Sequence, residues 1–261
     1  AQYRGYLPSR KHESAERCSR LTAPRRRCTV VLALGDSMPV VTDFPFTFDP
    51  ARVLQRHGRE FSALIGRPEL RQVYEAALAE ARTLIQPGIA YAVHPVVAAE
   101  EERLIIAEGQ ALESAVVARL FAEAPEVVLA IYTIGPLLEE RAAEYQAARN
   151  YLPGFALDLV GSAAVDEVGQ VAYALIEDLA KSKGLKASIP LNPGTSHWPL
   201  SGNKMLTQLV PAAAIGIETL DSGLLRPFKS ISFAVALGEH VLTPAEGSSC
   251  DYCDTRALCR R

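Results

Sequence analysis

Pro125-Glu126-Val127-Val128-Leu129-Ala130-Ile131-Tyr132-Thr133-Ile134-Gly135 is the stretch on which the fold turns. Between a proline and a glycine it runs almost wholly apolar and is rich in β-branched residues, a run too short for an ordinary helix. Because no polar residue alternates along it, both of its faces must be covered, which predicts a buried strand at the centre of a sheet. On its C-terminal side, helical patterns cover 137–149 and 155–181, the second long enough to cross a whole domain. On its N-terminal side the readings are a helix over 112–122 and strands over 103–107 and 89–97. An amphipathic helix over 68–86 precedes them, with Leu70, Val73, Ala77, Leu78, Ala81 and Leu84 at three- and four-residue steps and Pro87-Gly88 as its stop.

Further out, Asp49-Pro50 offers an N-cap and a first-turn proline for a short helix ended by Gly58. Toward the C-terminus, 186–191, 216–220 and 229–237 read as strands, with a helix over 204–213. Strands and helices mix without a strict βαβ rhythm, so the expected class is α+β with a twisted, mainly antiparallel sheet and long helices. Three regions are expected: a mobile basic leader over 1–42, an α+β domain over 43–240 whose part 43–88 is helical, and a cysteine-rich tail over 241–261.

Composition bounds the function. The 261 residues are 49% hydrophobic and 22% charged, which fits a globular chain and excludes disordered and collagenous classes. The formal net charge of −3 gives no whole-chain reason to expect a nucleic-acid or membrane partner. Residues 1–28 hold eight Lys and Arg against two Glu, or +6, so the remainder carries −9. The apolar run Thr29–Leu34 after that basic stretch is shorter than an export signal requires, and the expected location is the cytoplasm.

Three of the five cysteines fall in the last dozen residues, Cys250, Cys253 and Cys259, spaced C-x2-C-x5-C. Two thiolates separated by two residues converge on one ion, and a third reaches the same point from a short loop; soft thiolates select zinc or an iron–sulfur cluster, including the 4Fe-4S type. A disulfide or free thiols are the bland alternatives. The fourth ligand is missing locally, with Cys18 and Cys28 as distant candidates.

Two further segments carry chemistry. Leu157-Asp158-Leu159-Val160-Gly161-Ser162-Ala163-Ala164 places Asp158 and the small residues Gly161 and Ser162 inside a helix, where a flat ligand or another backbone approaches closely. Tight helix packing is the plainer explanation. Asn192-Pro193-Gly194-Thr195-Ser196-His197-Trp198-Pro199-Leu200 forms an irregular loop presenting Asn192, Gly194, Thr195, His197 and Trp198, the chain's sole tryptophan, as candidate binding groups. No Walker loop, G-x-G-x-x-G turn, H-E-x-x-H helix or Ser-His-Asp ordering is present.

Taken in order, Tyr132-Thr133-Ile134-Gly135, the 157–164 segment, Asn192-Pro193-Gly194 with Trp198-Pro199-Leu200, Ile215-Gly216-Ile217 and Pro227-Phe228-Lys229-Ser230-Ile231-Ser232 resemble the activation (reactivation) domain of vitamin B12-dependent methionine synthase, in a short stand-alone form. The resemblance spans roughly residues 45–240, and the closing C-x2-C-x5-C is similar to the tail of short homologues. It implies an activation-domain-like α+β fold and a role as accessory protein of corrinoid-dependent methyl transfer. Such a protein docks on a cobalamin-binding partner protein or methyltransferase, and supports reductive reactivation of cobalt by proximity to a methyl donor.

Three departures bear on the donor. Where the family carries an arginine before the Asn-Pro-Gly step and a tyrosine after its glycine, this chain has Pro190 and Thr195, and Leu220-Asp221-Ser222 replaces a threonine-glutamate-serine. Without the guanidinium fork for a carboxylate, S-adenosylmethionine is disfavoured as a ligand. The corresponding alternatives are a non-enzymatic corrinoid-protein binding module with structural zinc, or an S-adenosylmethionine-binding methyltransferase domain.

Overall fold

The computed structural model describes residues 29–31, 39–44, 67–254 and 256. The expected short helix after Asp49 lies outside them, as do Cys18, Cys28 and Cys259. Ten strands and five α-helices follow in the order β1 (Thr29–Val31), β2 (Val40–Asp43), α1 (Pro68–Leu84), β3 (Gly88–Ala99), β4 (Arg103–Ile106), β5 (Ala111–Glu113), α2 (Ala115–Phe121) and β6 (Glu126–Thr133) among the described residues. Then come α3 (Leu137–Ala147), α4 (Tyr151–Ser182), β7 (Lys186–Ala187), α5 (Gly202–Leu209), β8 (Glu218–Thr219), β9 (Leu225–Arg226) and β10 (Ser230–Gly238). The class is α+β.

β6 is the strand read first from the sequence, and it lies at the middle of the sheet order β1-β2-β3-β6-β10-β7. It pairs antiparallel with β3 from Gly88↔Thr133 to Pro95↔Glu126, and with β10 from Ser230↔Thr133 to Leu237↔Glu126. Its absence of alternation has a direct cause. Val128, Ala130 and Tyr132 face a cluster made with Ala81, Leu138, Leu157, Val160 and Ile176 of α1, α3 and α4. Val127, Leu129 and Ile131 face the opposite cluster, with Leu104, Leu112, Phe121, Trp198 and Leu206. The sheet is antiparallel yet sandwiched, so its central strand carries the all-apolar signature more usual in parallel sheets.

Several boundaries differ from the sequence reading, for physical reasons. The helix expected over 112–122 begins only at Ala115, because Ser114 caps it: its Oγ accepts from the Val117 N–H at 3.1 Å, and Ala111–Glu113 pairs with β4 instead. The strand expected over 186–191 keeps regular pairing only at Lys186–Ala187; Pro190, which has no N–H to give, interrupts it before an isolated bridge at Leu191. The domain boundary drawn at residue 42 falls inside β2, which pairs with β3 through Val40↔Ala90 and Val41↔Ile89.

Helix α4, 32 residues long, is apolar and long enough to cross a bilayer by length and composition. Here Leu157, Val160, Ala164, Val168, Ala172, Ile176 and Ala180 spend that apolar face on the sheet.

Candidate functional site

A concavity of about 530 Å³ forms a groove between α4 and the edge of the sheet. One wall is a stripe on α4, Asp166, Gln170, Tyr173 and Glu177, spaced to share one helix face. The other wall is the edge segment Ile189, Pro190 and Asn192. That segment is held to β10 by the Leu191 N–H donating to the Ala234 carbonyl at 3.0 Å and by the Asn192 amide Nδ2 donating to the Ser232 carbonyl at 2.8 Å. Tyr132 and Phe233 floor the groove as an edge-to-face pair, centroids 5.9 Å apart, and Ser248 and Ser249 close its far rim.

Gly169 makes this floor possible. A Cβ there would fall on the Tyr132 hydroxyl oxygen, with the ring Cζ at 2.8 Å, so only glycine lets the phenol lie against α4. Tyr173 donates its hydroxyl to the Ser188 carbonyl at 2.8 Å; burial, with a smaller contribution from the Glu177 charge, pushes that phenol well above its ordinary value and keeps it protonated. The charged side chains on the groove wall among the described residues are Asp166 and Glu177, both acidic.

The helix segment singled out in the sequence is put to a different use. Asp158 forms an ion pair with the Lys229 ammonium at 2.8 Å, and the same Nζ donates to the Ser162 Oγ at 2.8 Å. Gly161 admits Leu138, whose Cδ2 would stand 2.5 Å from an added Cβ, so tight packing accounts for it. Lys229 also donates its backbone N–H to the Glu139 carboxylate at 3.2 Å; burial raises the Glu139 pKa, and these backbone bonds oppose the rise. None of Asp158, Gly161 and Ser162 lines the groove. They fasten the first half of α4 to the start of β10.

The 192–200 loop splits its residues between two sides. Asn192 reaches the groove. Gly194, at φ 87°, turns the chain so that its N–H donates to the Trp198 carbonyl at 2.9 Å, and the Thr195 hydroxyl donates back to the Asn192 carbonyl at 2.8 Å. Trp198 is a fully buried anchor in the cluster on the other side of the sheet, where it also borders a small cavity of about 190 Å³ beside Lys204 and Met205. His197 has both ring nitrogens buried without a hydrogen-bond partner; burial lowers its pKa, against a smaller opposing pull from Asp254.

Directly after the groove rim comes the cysteine turn. Ser248 and Asp251 form a reciprocal cap, Arg256 pairs with Asp251 at 2.7 Å, and the Asp254 N–H donates to the Ser196 hydroxyl at 3.1 Å. Cys250 is exposed and Cys253 partly buried, and the Cys253 N–H donates to the Cys250 carbonyl at 3.3 Å, so both sit on one turn. That geometry suits two ligands of a soft metal or cluster. Among the described residues no group of three metal-ligating side chains is assembled, and Cys259 lies outside them.

The groove residues Asp166, Gln170, Tyr173 and Glu177 were not candidates in the sequence. Their signal was a polar stripe at i, i+4, i+7 and i+11 in an otherwise apolar helix, with Gly169 inside it.

No family model matches the chain, and no curated protein does. Among solved structures the chain is similar to the MetH reactivation domain bound to AdoHcy, with 14% sequence identity and a TM-score of 0.44. The match covers 64% of this chain and 65% of that one, so the chain spans about two thirds of the length of that structure.

Proposed function

We propose that this chain is an accessory protein of corrinoid-dependent methyl transfer that docks on a B12-binding protein and supports reductive reactivation of its cobalt. The observation that carries the reading is the adjacency of groove and thiols: Ser248 and Ser249 form the groove rim, and the exposed Cys250 follows them without an intervening residue. A small-molecule site and a soft-ligand, redox-capable turn thus occupy one end of the molecule. The motif segments behind the family resemblance support it as well, since they are joined physically: 157–164 to 227–232 through Asp158, Ser162 and Lys229, and 192–194 to the same strand through Asn192 and Ser232.

In this reading Cys250, Cys253 and Cys259 hold an iron–sulfur cluster or zinc, which when bound supplies a one-electron carrier or a rigid clasp, respectively. The chain's own part is to hold the groove ligand between α4 and the 189–192 edge, and to keep the thiol turn at the rim through the Ser248–Asp251 cap.

The test is spectroscopic. Anaerobically purified full-length protein is analysed for iron, sulfide and zinc, then mixed with a cobalamin-binding domain loaded with cob(II)alamin under limiting reductant. Faster appearance of the cob(I)alamin spectrum supports the reading, and iron with sulfide assigns a cluster. Zinc alone with a perturbed corrin spectrum but no faster reduction gives the passive binding module instead. An unchanged corrin spectrum overturns the corrinoid role altogether.

A further inference from the structure

On the face of the sheet away from the groove, α5 and β5 border the smaller cavity of about 190 Å³. Its back is apolar: Leu112 and Trp198 are buried and Met205 partly so. A cavity of about 150 Å³ is enough for one benzene ring, so this one takes a ring or a branched chain with a short polar head. Its mouth is polar, with exposed Ser201, Lys204 and Gln208 three and four residues apart along one face of α5. Lys181, Lys183 and Lys229 are each held by a carboxylate, whereas the Lys204 ammonium makes no ion pair among the described residues. The other charged residue of the lining, Glu113, stands opposite Arg103 in the β4–β5 pair and attracts that guanidinium, so its charge is met within the fold. Deeper in, Trp198 is 1% exposed and its indole N–H has no hydrogen-bond partner. That nitrogen lies against Gly202, where a Cβ would stand 2.5 Å from it, and both residues line the cavity. A buried donor without an acceptor is costly, and a ligand that brings an acceptor relieves the cost.

We propose that this cavity binds a compact apolar monocarboxylate, with its body on Leu112, Trp198 and Met205 and its carboxylate between the Lys204 ammonium and the indole N–H. The charge at Lys204 selects the acid over its neutral amide, the apolar back favours a hydrocarbon body over a polar one, and the volume limits the size. Two kinds of body share this chemistry, an aryl ring and a branched alkyl chain. The site is separate from the groove and from the cysteine turn, since no residue of either lines this cavity.

Trp198 is the chain's sole tryptophan, so its emission reports on this cavity directly. The test is titration of the full chain with phenylacetate and with 4-methylpentanoate, each beside its own amide, followed by tryptophan fluorescence and by calorimetry. At least one acid is expected to shift the emission saturably and to bind at least about tenfold more tightly than its amide, and Lys204→Gln to weaken the acid by about tenfold and so remove that preference. Binding of phenylacetate alone assigns an aryl site; binding of 4-methylpentanoate alone assigns a branched-chain site. Lys181→Gln, which alters an exposed ammonium on α4, is the control and leaves affinity unchanged. The proposal is overturned if neither acid binds, if the amide binds as tightly as its acid, if binding leaves the Trp198 emission unmoved, or if Lys204→Gln changes nothing while circular dichroism shows the fold intact. None of those results touches the cobalt assay above, so the two readings fail separately.

Discussion

Replacing Gly169 by alanine tests whether the groove floor is as tight as the contact between α4 and Tyr132 implies. Two effects oppose each other. In a helix interior, alanine is favoured over glycine by about 1 kcal/mol. Against this, the new methyl carbon would overlap the Tyr132 hydroxyl oxygen and stand 2.8 Å from Cζ, where ordinary contacts begin near 3.4 Å. Tyr132 is 6% exposed and lies on the central strand, so its ring has little room to retreat, and overpacking of this kind costs about 1–3 kcal/mol. The net expectation is a destabilisation of about 0–2 kcal/mol. The diagnostic quantity is the coupling: in a double-mutant cycle with Tyr132→Phe, which removes the overlapping oxygen, Gly169→Ala is expected to become less damaging by about 1 kcal/mol. Urea unfolding of the four proteins reads it, provided the m-values agree. If Gly169→Ala alone stabilises by the full helix-propensity gain, or the coupling stays within about 0.5 kcal/mol, the tight contact does not exist.

Other substitutions reach the rest of the site. Burial lowers the His197 pKa in the folded state, so as pH falls through the ordinary imidazole value of about 6.5 the unfolded chain binds the proton first and stability drops. His197→Leu is expected to flatten that fall, read as melting temperature between pH 7.5 and 5; an unaltered slope would place the sensitivity elsewhere. Lys229→Met removes the tie from α4 to β10 but leaves Asp158 about half exposed to water, so the expected loss is about 1 kcal/mol and largely absent in an Asp158→Asn background. Thermal denaturation of the single and double variants checks it, and additive losses would mean the pair is not coupled. On the proposed metal site, a Cys250→Ser/Cys253→Ser protein is expected to contain less iron or zinc than the parent in elemental analysis while keeping its melting temperature within about 2–4 °C, since neither thiol lies in the apolar core.

The central strand was legible because its burial is a property of the run itself: with helices on one side and α2, the β4–β5 hairpin and α5 on the other, every position from Val127 to Thr133 had to be unexposed. The existence of the long helix was legible from its helical pattern over 155–181, although it begins four residues earlier, at Tyr151. Less so were the edges, where pairing depends on a partner that local pattern does not reveal. Pro190 shortened one expected strand, and Ser114, whose hydroxyl both caps α2 and donates to the His197 carbonyl at 2.7 Å, delayed one expected helix. Among the site residues, Asn192 was visible as part of an irregular loop. Asp166, Gln170, Tyr173 and Glu177 were hidden because a helix read for its apolar period leaves its polar stripe looking like solvent-facing surface. They become a wall only once the 189–192 edge lies opposite them, and that requires the non-local pairing of Leu191 with Ala234.

The same edge explains why groove and thiols share an end of the molecule. Beyond β10 the chain returns so that the Leu242 carbonyl accepts from the Ile189 N–H at 2.7 Å, placing residue 242 beside the groove wall. A turn follows in which the Glu246 carboxylate accepts from both the N–H and the hydroxyl of Thr243, at 2.9 and 2.8 Å; these bonds hold the Glu246 pKa below the ordinary carboxylate value. The Ser248–Asp251 cap then sets the direction of the cysteine turn, and the Asp254 bond to Ser196 returns it to the 192–200 loop. That loop has Asn192 in the groove at one end and Ser196 on the thiol segment four residues later. A displacement of the groove wall therefore has a short, hydrogen-bonded route to the cysteines, through a loop whose conformation Trp198 fixes from the core.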